Sequence, residues 1–297
     1  MKRSPRSMVL LLLAVTALGT AFLAGCGNDD DNAKTATPTT TASTASTTSA
    51  TATTGPSDTA VPGVKRAVVV YFSRDEKVAA SSRTVQSEGV ARAALEAVFA
   101  GPNATESGAG MTSAIPDGTK VLGLTIADGK ATVDLNDTFQ SGGGSLSMTL
   151  RVAQVVATLL QFDTVQSVDI HLDGKPVEGI GGEGVPSTDL DQADIEDQTP
   201  AILPLAPLPG ATVTSPMTVS GTSNTFEATL QWAVLDRSGA TLKDGFATAT
   251  SGTGTRGTFS FTVDVGSYQG AATVKLFEAS AEDGSEINVV LVPVTVG

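Results

Sequence analysis

Residue types that build catalytic and metal sites are scarce in this 297-residue chain, which has one cysteine, Cys26, and one histidine, His171. Zinc sites made from the usual cysteine and histidine ligands are therefore excluded, as are cysteine-histidine nucleophile pairs. A Ser-His-Asp triad would have to use His171, and no Gly-x-Ser-x-Gly sequence supports one. No disulfide can form within the chain, so its folded parts depend on their cores alone, although exported domains often contain disulfides.

Positive charge is also scarce. The chain has 18 Lys and Arg against 31 Asp and Glu, a formal net charge of −13. Three of the positive charges, on Lys2, Arg3 and Arg6, lie at the extreme N-terminus, and without them 15 basic residues face 31 acidic ones, a net charge of −16. Nucleic acid and anionic lipid headgroups repel such a chain. The composition predicts neutral polymers, basic protein patches or metal ions as partners, and no nucleic acid.

The first 25 residues have the pattern of a secretory signal peptide. Lys2, Arg3 and Arg6 precede an apolar run from Met8 to Ala24, which ends in small residues before Cys26. The ending Leu23-Ala-Gly-Cys26 resembles the lipobox of bacterial lipoproteins. This resemblance implies that Cys26 is the lipidated first residue of the mature protein, which is then anchored on the outer face of the cell membrane. The alternative is an uncleaved transmembrane anchor, for which the apolar run is only just long enough.

Residues 26–63 form the next predicted segment, a tether. Asn28 to Asn32 is a short acidic run, and Thr, Ser and Ala dominate from Ala33 to Thr54. Such a composition cannot bury enough apolar surface to offset the entropy of ordering the chain. We predict a disordered spacer that holds the folded domains away from the membrane. Its Thr and Ser density permits O-glycosylation, and a bare linker is the alternative.

Residues 64–185 show the pattern of a small α+β domain. Predicted in order are a strand over 66–72, a helix capped by Ser87 and ended by Gly101-Pro102, a hairpin turning at Asp128-Gly129, a helix after Ser141 to Ser145, and a strand over 165–172. Apolar spacing places Leu122 and Ile126 on the buried face of the hairpin. It also puts Leu146 on the apolar stripe of the second helix. The order β-α-β-β-α-β predicts helices packed on one face of a small sheet.

The rest of the chain shows a boundary and then short alternating strands. Pro186 and the acidic run from Asp189 to Asp197 predict a linker over 186–200. From 201 to 297, about seven apolar-alternating segments, one of them starting at Phe226, are separated by turns. This pattern predicts an all-β sandwich. Trp232, the one tryptophan, lies on the apolar face of a predicted strand, so we assign it to the core.

Several motifs of the two regions resemble known bacterial domains. In the first region they are Ser113–Gly123, Ala131–Leu135, Ser141–Gly144 and Leu172–Val177, which together resemble the GerMN domain named from spore-germination proteins. In the second region they are Pro209–Gly221, Asn224–Ala228, Gly257–Phe261 and Phe277–Gly284, which resemble the immunoglobulin-like Gmad2 domain. The resemblance implies a GerMN-like α+β domain followed by an immunoglobulin-like sandwich, used for interaction or assembly at the cell envelope. It brings no catalytic residues with it, and its link to sporulation rests on family analogy alone.

Three short segments are candidate ligand sites. Gly179 to Gly184 fits Gly-x-Gly-x-x-Gly, but no helix is predicted after it, so an exit loop is the better interpretation. Gly142 to Gly144 precede a helix and suit an anion, although no lysine follows in the P-loop position; the alternative is a loop capped by Ser145. Calcium could bind the carboxylates of the predicted linker, but their spacing does not match an EF-hand and a solvated linker is the alternative. These carboxylates are Asp189, Asp191, Asp194 and Asp197.

We therefore predict a non-enzymatic, lipid-anchored envelope protein with no cofactor and no metal. The membrane holds it through the lipid, and the cell wall (peptidoglycan) or other envelope proteins are its expected partners. A peptidoglycan hydrolase is one alternative, although no carboxylate pair stands out for glycan cleavage. A solute-binding lipoprotein is another, and it requires a deep pocket.

Overall fold

The structure is a computed structural model, and it describes residues 65–182 and 184–297. The chain divides into two units, Met1–Asp58 and Thr59–Gly297, and all described residues belong to the second. The predicted signal peptide, Cys26 and the predicted tether lie outside the described residues and remain predictions. Within the described part of the chain, no helix has both the length and the apolar character needed to cross a membrane.

The first half of the described chain combines two small sheets with three helices. Its elements are β1 Lys65–Arg74, β2 Lys77–Gln86, α1 Val90–Phe99, α2 Ala104–Gly108, β3 Val121–Ala127, β4 Lys130–Leu135, a 3-10 turn Asp137–Gln140, α3 Ser145–Leu160, β5 Ser167–Leu172 and β6 Lys175–Pro176. β1 and β2 form one antiparallel pair, and the other strands form a sheet in the order β3-β4-β5-β6. β4 and β5 are parallel, with α3 as the crossover between them. The predicted α+β class is confirmed.

The predicted strand order lacked β2, which pairs with β1 along its whole length. The sequence of β2 is rich in alanine and serine, so its propensity for strand formation is weak. The turn residues Asp75 and Glu76 have φ values of 52° and 62°. Two-residue hairpin turns need positive φ at both central positions and favour Asn-Gly or Asp-Gly. Because Asp-Glu lacks the glycine, this hairpin carries no clear sequence signal.

The predicted hairpin at Asp128-Gly129 is confirmed, and it joins β3 to β4 with φ values of 51° and 82°. Its buried face is only partly as predicted. Val133 and Leu135 of β4 are fully buried, but Leu122 and Ile126 of β3 are 48% and 36% exposed. β3 lies at the edge of its sheet and contains a bulge, which together leave these two side chains outside the core.

The two main helices begin without the predicted serine caps. α1 begins at Val90 with Gly89 as its N-cap residue, and α3 begins at Ser145 with Gly144 in that position. Neither N-cap residue has a side chain to bond the first helical amides. The Ser87 hydroxyl instead accepts a hydrogen bond from the Gly89 amide at 3.1 Å, ahead of the helix. The prediction that Ser87 caps the first helix was wrong, and Ser145 is the first residue of α3, not its N-cap residue.

α3 is the central helix of the first half. It packs against β1, β5 and α1. Met148 and every residue from Leu150 to Leu159 are buried, so the helix is enclosed all round, whereas the sequence predicted a single apolar stripe. Leu146, which was assigned to that stripe, is 47% exposed in the first turn.

Gln154 of α3 and Gln161, the residue directly after this helix, pair with the free edge of β1. The Gln161 amide oxygen accepts from the Val69 amide at 2.8 Å, and its nitrogen donates to the Val69 carbonyl at 2.6 Å. Gln154 donates to the Tyr71 carbonyl at 3.0 Å. An unpaired backbone group that is buried costs free energy. These side chains therefore allow a two-stranded sheet to be buried along its edge.

The second half of the described chain is a sandwich of eight strands. Its elements are a 3-10 turn Glu196–Gln198, β7 Ile202–Ala206, β8 Ala211–Val213, β9 Met217–Ser223, a 3-10 turn Phe226–Ala228, β10 Thr229–Asp236, β11 Thr241–Thr248, β12 Gly257–Val263, β13 Gly270–Ala279 and β14 Glu286–Val296. One sheet has the order β11-β10-β13-β14-β8 and the other has the order β12-β9-β7. The predicted immunoglobulin-like sandwich is confirmed.

The aromatic residues of the sandwich follow the predicted alternation with one exception. Trp232 packs against the core of the sandwich and stacks on Phe261, with ring centroids 5.0 Å apart and planes 18° apart. Its predicted core role agrees with this position. Phe226, predicted to lie inward, is 53% exposed. It belongs to the 3-10 turn before β10, and Glu227 in that turn has a φ of 52°, which breaks the alternation.

β7 belongs to the cores of both halves. Ile202 is fully buried in the core of the sandwich, whereas Leu203, 6% exposed, lies in the core of the α+β half. Successive side chains of a strand point to opposite faces. One strand therefore serves as a wall of two cores, and Thr59–Gly297 contains both of them. We expect this unit to fold on its own.

Candidate functional site

The glycine-rich segment after β6 has no means of binding a dinucleotide. Ile180 within it is fully buried and forms an isolated β-bridge with Val185. A Cβ added to Gly179 would lie 3.0 Å from the Gly184 Cα, so the loop closes tightly on itself. As the sequence indicated, no helix begins at the acidic segment that follows. No helix N-terminus is therefore present to hold a pyrophosphate.

The glycine-rich loop before α3 accepts hydrogen bonds from a buried arginine. Arg151 of α3 is 3% exposed and donates to the carbonyls of Phe139, Ser141 and Gly142 at 2.8, 3.0 and 2.6 Å. It also donates to the Ala114 carbonyl at 2.9 Å and to the Ser147 hydroxyl at 3.0 Å, so all five guanidinium N–H groups are used. Burial lowers the pKa of this guanidinium.

Gly143 leaves space for that guanidinium. A Cβ on Gly143 would lie 2.7 Å from Arg151 Nη2, and its φ of 81° disfavours any other residue. The loop carbonyls thus point toward Arg151, and close packing against this side chain explains the glycine at position 143. No motif in the sequence marked Arg151 as a structural centre of this loop. The signal was a single arginine within the apolar sequence of α3.

The acidic run after Val185 packs against the α+β half and is not a solvated linker. Leu190 and Ile195 are each 2% exposed and belong to its core. Asp189 pairs with Lys130, while Asp191 accepts a hydrogen bond from the Ala193 amide at 2.7 Å. The apolar residues between the aspartates anchor the segment, and the carboxylates face separate partners. Among the described residues, no group of three or more acidic, histidine or cysteine side chains is placed to hold a metal ion.

His171 lies on β5, where it is partly exposed as its alternating position predicted. Its partner across the parallel ladder is Asp134 of β4. The Asp134 carboxylate accepts a hydrogen bond from the Gly174 amide at 2.8 Å in the following turn. This carboxylate therefore stabilises a turn.

Several apolar side chains are exposed on the outer face of the five-stranded sheet, outside the core of the sandwich. Leu230 and Val234 of β10 point into the core, so Gln231 between them points outward. Gln231 lies opposite Phe246 of β11 on one side and opposite Phe277 of β13 on the other. A row of two phenylalanines flanking a glutamine therefore crosses the outside of this sheet.

A second row extends this surface toward β14. Lys275 lies opposite Leu291, and its ammonium group is 4.8 Å above the centre of the Phe277 ring. Phe246 is 72% exposed, Leu291 51% and Val289 44%. We call this surface the aromatic face. It consists of Gln231, Phe246, Lys275, Phe277, Val289 and Leu291.

The surroundings of the aromatic face are acidic. The turn between β13 and β14 carries Glu282 and Asp283, and β14 begins with Glu286, which pairs with Lys275. Asp244 of β11 lies opposite Ala233 and thus on the same outer face. Exposed apolar patches with a polar rim mark interaction sites. The chemistry of this patch suits an apolar surface with basic groups around it.

At the junction between the two halves, a partly buried ion pair joins the acidic segment to the sandwich. Arg256, before β12, bonds both carboxylate oxygens of Glu196, with contacts of 2.8 and 3.0 Å. It also donates to the Pro200 carbonyl at 2.8 Å, and Asn224 donates to Glu196 at 2.8 Å. Burial alone would raise the pKa of the Glu196 carboxyl, but the bonds from Arg256 and Asn224 outweigh it and hold this pKa below its ordinary value. Bidentate pairs of this kind fix geometry.

Comparison with known proteins matches each half to a family. Residues 69–178 match the Germane family, described as sporulation and spore germination. Residues 204–285 match the Gmad2 family, described as the immunoglobulin-like domain of bacterial spore germination. Neither description is that of an enzyme. No match was found among curated proteins.

Two solved structures from Bacillus subtilis are similar to parts of the chain. The first GerMN domain of the sporulation protein GerM is 24% identical, covers 42% of this chain and 98% of its own, and has a TM-score of 0.35. The tandem GerMN domains of the same protein are 17% identical, cover 68% of this chain and 62% of their own, and have a TM-score of 0.39.

Proposed function

Because the chain carries a sporulation and spore-germination domain of the Germane family followed by a Gmad2 immunoglobulin-like domain, we propose that it is a non-enzymatic envelope protein that binds another protein. In this proposal Cys26 carries the lipid, and residues 26–63 tether the folded unit to the outer face of the membrane. The observation that carries the binding role is the aromatic face, where Phe246 is 72% exposed.

The partner we propose is a protein with an apolar patch surrounded by basic residues. The aromatic face is apolar at its centre and has Asp244, Glu282, Asp283 and Glu286 around it. A second copy of this chain is disfavoured, because two chains with a net charge of −16 each repel one another. Exposed phenylalanine and leucine side chains also suit a protein surface better than a polar glycan strand.

Substituting Phe246 tests this proposal. The unit Thr59–Gly297 is immobilised and exposed to solubilised envelope proteins, and bound proteins are identified and then titrated in purified form. We expect Phe246→Glu to weaken the binding of a genuine partner by at least about 10-fold, since aromatic anchors at the centre of an interface dominate affinity. The matched control is Phe226→Glu, which changes another exposed phenylalanine, in the turn before β10, and should leave affinity unchanged.

Two results would contradict the proposal. If Phe246→Glu and Phe226→Glu bind the captured protein as well as the unsubstituted unit does, the aromatic face is not the contact surface. If the unit releases soluble fragments from purified peptidoglycan, and one carboxylate substitution abolishes this release, the protein is a wall hydrolase instead.

A further inference from the structure

A cavity lies where the two halves of the described unit meet. Its volume is about 380 Å³, within the range of small-molecule sites, which often occur at domain interfaces. The walls come from the β1–β2 hairpin, the end of α3, the acidic segment, β7 and β9. The lining residues are Val69, Tyr71, Val78, Ala157, Leu160, Gln161, Gln192, Ile195, Thr199, Leu203, Leu205 and Thr222.

The hairpin presents a single face to this cavity. Val69 and Tyr71 are two positions apart on β1, so their side chains point to the same side. Val78 of β2 lies opposite Ser73, which is again two positions along from Tyr71. All three lining residues of the hairpin therefore project from the face that meets β7. The opposite face, with Val70 and Phe72, is fully buried in the α+β core.

The Tyr71 hydroxyl has no hydrogen-bond partner among the described residues, although the residue as a whole is largely buried. Tyr71 is only 6% exposed, but its hydroxyl oxygen is not one of the fully buried unpartnered polar atoms, so water or a ligand in the cavity can reach it. Burial raises the pKa of Tyr71 to about 12. The other tyrosine, Tyr268, is different, because its hydroxyl donates to the Ala271 carbonyl at 2.6 Å and accepts from the Arg237 amide at 3.3 Å.

The other polar groups of the cavity wall are already engaged. Gln161 is bonded to the backbone of Val69, as described for β1. The Thr199 hydroxyl donates to the Ile195 carbonyl at 2.9 Å, and the Thr222 hydroxyl accepts from Arg256 at 3.2 Å. No lining residue is ionised at neutral pH, and seven of the twelve are aliphatic. A charged ligand would lose its hydration here without gaining an ion pair.

We propose that this cavity binds a neutral, mostly aliphatic small molecule that accepts a hydrogen bond from the Tyr71 hydroxyl. The aliphatic walls contribute the apolar contact, and the phenol orients the polar end of the ligand. Because the walls come from both halves, bound ligand stabilises their docked arrangement by mass action. This site is separate from the aromatic face and does not depend on it.

Octanol is a suitable probe, because it is neutral and aliphatic and has one hydroxyl that can accept a hydrogen bond. Titration calorimetry of the unit Thr59–Gly297 should show saturable binding of octanol and at least about 10-fold weaker binding of octanoate, whose charge has no partner in the cavity. Tyr71→Phe should weaken octanol binding about five-fold, the effect of one hydrogen bond. It should leave the fold intact, since the hydroxyl that it removes has no protein partner.

Two further variants separate binding from packing. Tyr268→Phe is the matched control, and it should bind octanol as the unsubstituted unit does. Ala157→Phe fills the cavity from α3 and should abolish octanol binding while circular dichroism still reports a folded unit. If octanol shows no saturable binding up to its solubility limit, the cavity is only a hydrated gap. Equal octanol affinities of the Tyr71→Phe variant and the unsubstituted unit would likewise overturn the proposal.

Discussion

Replacing Arg151 by methionine should lower the free energy of unfolding by about 3–5 kcal/mol. All five guanidinium N–H groups are bonded inside the protein, to the carbonyls of Ala114, Phe139, Ser141 and Gly142 and to the hydroxyl of Ser147. Methionine fills similar space but offers no donor, so these oxygens lose their partner. Urea unfolding of the unit Thr59–Gly297 gives the measurement.

Arg92→Met is the matched control for this prediction. Arg92 also lies on a helix, but its side chain is 44% exposed and it pairs with Glu96. Besides this exposed pair, Arg92 donates one hydrogen bond to the Val121 carbonyl at 2.6 Å, so the expected loss is about 1–2 kcal/mol. If the substitutions at Arg151 and Arg92 cost the same, the buried guanidinium does not organise the loop before α3.

Replacing Leu203 by alanine should destabilise both halves together, by about 2–4 kcal/mol. Leu203 is buried in the α+β core, while its neighbour Ile202 is buried in the core of the sandwich. A cavity on one side of β7 therefore weakens the strand that the other core also needs. Calorimetry should show one unfolding transition for the unsubstituted unit, and Leu203→Ala should shift that whole transition to lower temperature.

Leu291→Ala serves as the control for β7, because Leu291 is 51% exposed on β14. Its effect should lie within about 0.5 kcal/mol, as for most surface positions. Two separate transitions in the unsubstituted unit, only one of which responds to Leu203→Ala, would show that the halves unfold independently and that β7 does not couple them.

Local sequence patterns predicted the elements whose structure depends only on residues that are neighbours in the sequence. The hairpin at Asp128-Gly129 has the residues that its positive φ values require, and β5 alternates between buried and partly exposed side chains. The sandwich was predictable because β9, β12 and β13 alternate between more and less buried side chains along their length. The β1–β2 hairpin was not, because Asp75 and Glu76 adopt positive φ without the usual glycine.

The features of the junction depend on contacts between distant residues, which no local pattern reveals. Glu196 and Arg256 are far apart in sequence but form a bidentate pair, and Leu203 belongs to a core made mainly by the preceding half. The acidic run looked solvated because charge dominates its composition, yet Leu190 and Ile195 anchor it. Exposure of the aromatic face likewise follows from sheet order, since the same alternation in a covered sheet would bury Phe246.

We propose that Cys26 carries a lipid that holds this unit at the outer face of the membrane. Cells that produce the full chain are grown with a fatty acid that bears a chemical handle, and the labelled protein is detected after purification. We expect strong labelling of the unsubstituted chain and no labelling of Cys26→Ala. Protease added to intact cells, or to cells whose outer membrane has been permeabilised where they have one, should digest the labelled chain. Equal labelling of both chains, or no labelling of either, would contradict the account.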